Sequence, residues 1–203
     1  MSSGPRIAPL PKDEWGDDAI AALQAAYGDE VAASILSTAP DAPPLPNVLG
    51  TMMRNPSLVG PFLVYNASMM KTPLLGRRNF ELIVLRVAWR TRSTYEWAQH
   101  VRMAQRIGIT MEEIDAVGRG SDDGAWMPLE ADLLAATDQL IDGYRIDDAT
   151  WARLAEQLDE KQLMEVTFIV GTYTCLAMAF NSFGIEVDEG LDGLPAPPLP
   201  ADE

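Results

Sequence analysis

Twenty consecutive residues, Val166 to Ile185, carry no charge. As a helix, such a run is about 30 Å long, close to the thickness of a bilayer's hydrocarbon core. Whatever the chain folds into must cover it. Thr167, Thr172, Tyr173, Thr174, Asn181 and Ser182 lie within the run. That many polar side chains make a marginal membrane span, so the run predicts a helix buried inside the protein or in a subunit interface. Asp159 with Gln162 offers a box-like start and Gly184 a stop, which sets the helix at 160–183.

The rest of the chain also reads as helix. Apolar residues recur at three- to five-residue spacing over 13–27, and a short helix is expected over 30–37. Ser57 is a candidate N-cap for a helix ending at Lys71, before Pro73. Residues 76–91 hold an apolar run without a breaker, and Ser93 can cap a helix that stops at Gly108. Thr110 and Glu113 form a capping-box pattern for a helix to Val117, with Gly118, Gly120 and Gly124 marking the loop after it. Further helices are expected at 128–143 and 148–158. No hairpin signal is present. The fold is therefore expected to be all-α. Proline clusters divide the chain into an N-terminal arm (1–46), a helical domain (47–193) and a Pro-rich tail (194–203). A faint echo links Phe80–Ala88 with Met164–Thr172, suggesting two helices that pack as partners.

Composition narrows the function. The chain has one cysteine, Cys175, and one histidine, His100. A disulfide framework, a CxxC redox centre and a four-ligand zinc site are all excluded. Cys175 reads as a small core residue. A net charge of −15 argues against nucleic acid and anionic membranes as partners. The N-terminus lacks a continuous apolar targeting segment, and a lone cysteine suits the reducing cytoplasm, where the protein is expected.

Chemistry concentrates around the histidine. Ser93, Glu96, Trp97 and His100 stand at i, i+3, i+4 and i+7, which share one helix face. Glu81 lies in the preceding helix among Phe80, Leu82, Ile83, Val84 and Leu85, where a carboxylate must find a partner or take up a proton. Two readings stand open. Glu81, Glu96 and His100 are candidate acid/base residues. Alternatively, Glu96–His100 is an ordinary helix pair and Glu81 pairs with Arg77 or Arg78. No metal is expected from these three residues. Arg77, Arg78, Arg86, Arg90, Arg92 and Arg102 crowd the same segment, and one facing the site would suit a carboxylate ligand.

The stretch Leu75–Thr91, followed by Tyr95-Glu-Trp-Ala-Gln-His100, resembles the carboxymuconolactone decarboxylase family, within the alkylhydroperoxidase D-like superfamily. The likeness extends from Asn55-Pro-Ser-Leu58 to the helix at 160–184 and implies that superfamily's all-helical fold. The peroxidase branch carries a Glu followed by Cys-x-x-Cys-x-x-x-His. On this chain those positions are Glu81, Ser93, Glu96 and His100, so both sulfurs are replaced. A thiol hydroperoxidase needs an attacking and a resolving thiol, and that activity is disfavoured here. The decarboxylase branch, which lacks the cysteine pair, implies a cofactor-free lyase or isomerase acting on a small lactone or unsaturated acid. Glu81, Glu96 and His100 would then handle protons, and Ser93 and Tyr95 would hold substrate oxygens. The resemblance also implies a homo-oligomer (dimer, trimer or hexamer). A thiol-free protein that binds a ligand or acts as a scaffold without turnover is the remaining alternative.

Overall fold

The computed structural model describes residues 4–39, 42 and 44–191. The expected Pro-rich tail at 194–203 lies outside the described residues, as do Pro40 and Pro43 of the proline cluster. Among the described residues there are ten α-helices and no strand, so the all-α expectation holds. The chain divides into two compact units.

The first unit runs to Lys71 and includes residues 182–188. It contains α1 (Asp17–Tyr27), α2 (Asp29–Leu36), α3 (Asn47–Met52) and α4 (Pro56–Lys71). Trp15, Ala19, Leu23, Leu49, Met53, Val59 and Leu63 form its core. The arm expected to be separate therefore shares one core with residues beyond 47. A Cβ on Gly50 would stand 2.8 Å from the Pro9 side chain, where the Leu10 amide donates to the Gly50 carbonyl at 2.9 Å. The short α3 has no strong sequence signal and was not expected. α4 starts one residue before Ser57: Pro56 takes the first helical position and the Asn55 carboxamide oxygen accepts from the Leu58 amide.

The second unit holds α5 (Gly76–Arg90), α6 (Thr94–Arg106), α7 (Met111–Arg119), α8 (Pro128–Gly143), α9 (Asp148–Ala155) and most of α10 (Glu160–Phe183). α5 is buried without a break from Phe80 to Ala88. Three residues, Thr91 to Ser93, reverse the chain into α6, with Arg92 at φ 56°. The Thr110–Glu113 capping box and the reciprocal Asp159–Gln162 bonds form as the sequence suggests. Gly118, expected in a loop, is the penultimate residue of α7.

α10 runs alongside α5 in the same direction. At one end the Glu165 carboxylate accepts from the Leu74 and Leu75 amides at 3.0 and 2.8 Å. At the other, the Asn181 amide donates to the Thr91 carbonyl at 2.8 Å. The Leu75 and Asn181 bonds each join positions 90 residues apart. The two helices that carry the sequence echo are thus neighbours, but six residues, nearly two helical turns, out of the echo's own register. α10 is long and apolar enough to cross a membrane by length and composition, and half of it is buried in the protein.

Arg86 locks α5 to its other neighbours. It forms a two-pronged ion pair with Asp138 of α8, both contacts at 2.7 Å, and donates to the carbonyls of Val117 and Gly118 at 2.6 and 3.1 Å. Gly120, at φ 104°, passes so close that a Cβ would sit 3.2 Å from this guanidinium. Arg86→Ala takes the donor from two carbonyls and one of two arginines from Asp138, and we expect a loss of about 3 kcal/mol in urea unfolding. A change below about 1 kcal/mol would show that water replaces the guanidinium without cost.

Candidate active site

Glu81 and His100 meet inside the second unit. The His100 Nδ1 lies 2.7 Å from Glu81 Oε2, with both side chains buried. Glu81 does not pair with Arg78, which binds Glu113 and Glu130 instead. The buried stretch of α5 from Phe80 to Ala88 delivers the carboxylate, and the turn at 91–93 brings the face of α6 back against it. When Glu81 is ionised, Nδ1 carries the ring hydrogen and donates it, and Nε2 presents its lone pair. Tyr173 of α10 meets the imidazole edge-on, with ring centroids 5.1 Å apart and an angle of 88°, and Phe80 packs on Tyr173 in turn. Carboxylate and phenol ring together fix the imidazole plane. Tyr173 was not singled out from the sequence; its one trace there is an aromatic set inside the uncharged run.

Glu96 sits one helical turn before His100 and is 2% exposed. Neither of its carboxyl oxygens has a hydrogen-bond partner. Burial pushes its pKa well above the usual carboxylate range, because the charged form loses its hydration. Ser93, one turn earlier, is fully buried. It occupies the N-cap position of α6, yet its hydroxyl makes no capping bond and has no partner. The Trp97 indole N–H is likewise buried and unpartnered. Buried polar atoms left without partners are rare, and here three neighbouring side chains have them. Tyr95 is placed differently: its ring packs edge-on against Phe180, 5.4 Å away.

Three of the neighbouring arginines are already committed. Arg78 binds Glu113 and Glu130, Arg86 binds Asp138, and Arg90 binds Asp138 and Asp142. Cys175 is exposed, not a core residue as its type suggested, because it lies on the outer side of α10. It borders a groove with Leu140, Ile141 and Met178, and His100 does not line that groove. Among the described residues, no three His, Cys, Asp or Glu side chains are grouped to hold a metal ion.

Residues 61–139 match the model of the carboxymuconolactone decarboxylase family, and this segment contains Glu81, Ser93, Glu96 and His100. That match spans about two fifths of the chain. Solved structures agree on the fold. An uncharacterized peroxidase-related protein from Silicibacter sp. TM1040 superposes with a TM-score of 0.74 at 14% identity, covering 95% of this chain and 98% of that one. The alkylhydroperoxidase AhpD core of an uncharacterized peroxidase-related protein from Ralstonia eutropha JMP134 gives 0.71 at 16% identity, covering 91% and 94%. The debrominase Bmp8, a cysteine-to-alanine variant in complex with 2,3,4-tribromopyrrole, gives 0.71 at 14% identity, covering 94% and 96%. Identities this low establish the alkylhydroperoxidase D-like fold and nothing finer. No curated protein matches the chain in sequence.

The Glu96 environment has a measurable signature. Its pKa is raised in the folded chain, so between the unfolded carboxylate pKa and the folded one, the folded state holds a proton that the unfolded state has lost. Stability from this group is complete below the unfolded pKa and declines as pH rises toward the folded one. Glu96→Gln removes that dependence. Urea unfolding should show the variant gaining on the native chain by about 1.4 kcal/mol per pH unit above pH ~4.5. Parallel curves for the two proteins would mean that Glu96 ionises normally.

Proposed function

We propose that this chain is a carboxymuconolactone decarboxylase-like enzyme, a cofactor-independent lyase or isomerase that moves protons on a small lactone or unsaturated acid. One observation carries the reading: a buried Glu81–His100 pair stands one helical turn from a buried and unpartnered Glu96, whose pKa burial raises. A base and an acid held apart in one dry site are what proton transfer at carbon requires.

In this reading, Glu81 positions His100 and Nε2 acts as the base. It takes a proton from the carbon next to a carbonyl, and the electron pair moves onto the carbonyl oxygen. The Glu96 O–H offers its proton to that oxygen or to the far carbon of the resulting dienolate. In a decarboxylation the carbon–carbon bond breaks instead, carbon dioxide leaves, and Glu96 protonates the carbanionic carbon and is reprotonated from solvent. The free Ser93 hydroxyl can hold a substrate oxygen. Tyr95 remains a candidate for the same role, although its ring is engaged with Phe180. Arg78, Arg86 and Arg90 are paired with acids, so a substrate carboxylate would have to be held by other groups.

A thiol peroxidase reading gains nothing, since positions 93 and 96 hold Ser and Glu and Cys175 lies in another groove. A reducing cytoplasm suits a chain whose one thiol is unpaired.

Small lactones and unsaturated acids incubated in deuterium oxide with the native chain should exchange or rearrange, with deuterium appearing at carbon by NMR. His100→Ala, Glu81→Gln and Glu96→Gln should each slow this by about 10²–10⁴-fold. Cys175→Ser should leave it unchanged. Undiminished turnover in both His100→Ala and Glu81→Gln sinks the proposal. Ligands that raise Tm without any exchange would point to the non-catalytic alternative.

A further inference from the structure

A groove of about 420 Å³ runs between α10 and the C-terminal end of α8, with Leu140, Ile141, Tyr144, Cys175 and Met178 in its walls. It shares Leu140, Tyr144 and Thr167 with a second hollow, which adds Trp151 and Arg145. The two form one largely apolar channel within the second unit, with a guanidinium beyond its Thr167 end. Its most prominent wall is a strained one. Tyr144 closes α8 in the left-handed region, at φ 58°. A bulky aromatic residue rarely adopts that conformation, although glycine stands one position earlier, at Gly143. The phenol gains no burial in exchange, since Tyr144 is 89% exposed. Strain kept without packing points to a contact that this ring makes when the channel is filled.

The chemistry of the channel selects its occupant. Exposed aromatic rings beside aliphatic side chains are the surface that polyproline helices bind. This chain carries such a segment, Leu194-Pro-Ala-Pro-Pro-Leu-Pro200, with Asp202 and Glu203 just after it. Pro195 to Pro198 and Pro197 to Pro200 are overlapping Pro-x-x-Pro patterns. The segment starts in the right place. α10 ends at Phe183, five residues or about 8 Å past Met178. Glu189 to Leu191 return to the second unit, and Leu191 is buried. Lengths also agree. Met178 and Thr167 stand about 16 Å apart along α10. Pro195 to Pro200 spans about the same length as a polyproline helix, at ~3.1 Å per residue. Charge then sets the direction. Arg145 lies beyond the Thr167 end, paired with Asp148 but with its side chain 74% exposed. Its guanidinium has room for a second carboxylate.

We propose that residues 195–200 dock in the α8–α10 channel of their own chain as a polyproline helix, running antiparallel to α10 from Met178 toward Thr167. The prolines pack on Tyr144 and Trp151, and Asp202 and Glu203 reach Arg145. A short tether holds such a segment at an effective concentration in the millimolar range. An affinity of only about 0.1 mM then keeps the channel about 90% covered.

Cys175 lines the channel and is the one thiol of the chain, so its reactivity reports whether the channel is covered. N-ethylmaleimide should label Cys175 in the full native chain about tenfold more slowly than in the double variant Pro198→Asp, Leu199→Asp. Tyr144→Ala, which removes the exposed ring and leaves the segment intact, should label as fast as the double variant. The rates should not depend on protein concentration. In a second measurement, Ala196→Cys should close an intramolecular disulfide with Cys175 on oxidation, and adding Tyr144→Ala should slow that closure about tenfold. Tyr144 is too exposed to support the fold, so its variant should keep native helix content by circular dichroism. Equal labelling of the native chain and the double variant, whether both fast or both slow, would overturn the docking. So would protection that fades on dilution, which would give the channel to another copy of the chain. None of these outcomes bears on the chemistry assigned to Glu81 and His100.

Discussion

A carboxylate buried in the middle of an apolar helix is the constraint around which the second unit is arranged. Glu81 is 2% exposed among Phe80, Leu82, Ile83 and Val84. Isolated, an ionised carboxylate there would cost several kcal/mol. The His100 Nδ1 at 2.7 Å meets that demand, and only if α6 returns along α5 in one register. The abrupt turn at Thr91–Ser93, with Arg92 in the left-handed region, supplies the return. Tyr173 then closes the open side of the imidazole, which draws α10 into the same arrangement. Three helices are tied to one proton-bearing pair.

The two acidic residues on this site show how environment assigns roles to identical side chains. Glu81 has a cationic or hydrogen-donating neighbour; Glu96 has none. One can therefore act as an anionic support and the other as a neutral acid, although they lie one helix turn or one helix hairpin from the same ring. The arginines nearby do not blur this division, because Arg78, Arg86 and Arg90 are saturated by carboxylates of α7 and α8.

Much of this was legible in the sequence, for reasons that differ by residue. The long helices were readable because their apolar spacing, capping boxes and terminal glycines agree with one another. The shared face of Ser93, Glu96 and His100 followed from helical geometry alone. What escaped depended on contacts between distant parts of the chain. α3 is six residues long and carries no periodic signal. Residues 17–36 looked like part of an arm, yet their apolar positions are covered by α3 and α4. Ser93 looked like a cap, but its hydroxyl makes no capping bond. Cys175 was misread because residue type predicts average burial, while helical phase decides which side of α10 faces the core. Tyr173 could not be paired with His100 across 73 positions by any local rule.

The two end bonds of α10 act as a ruler. Glu165 grips the start of α5 and Asn181 grips its end, so both helices must carry the same number of residues between those points. Adding or deleting one residue in either helix would release one grip and rotate every following side chain by about 100°. Glu81 and Tyr173 lie between the grips, so a length change in α5 or α10 would turn one of them away from His100. Sequence variation among descendants of this chain should therefore enter these segments as substitutions, while changes in length collect in connections such as residues 120–127, outside the ruler.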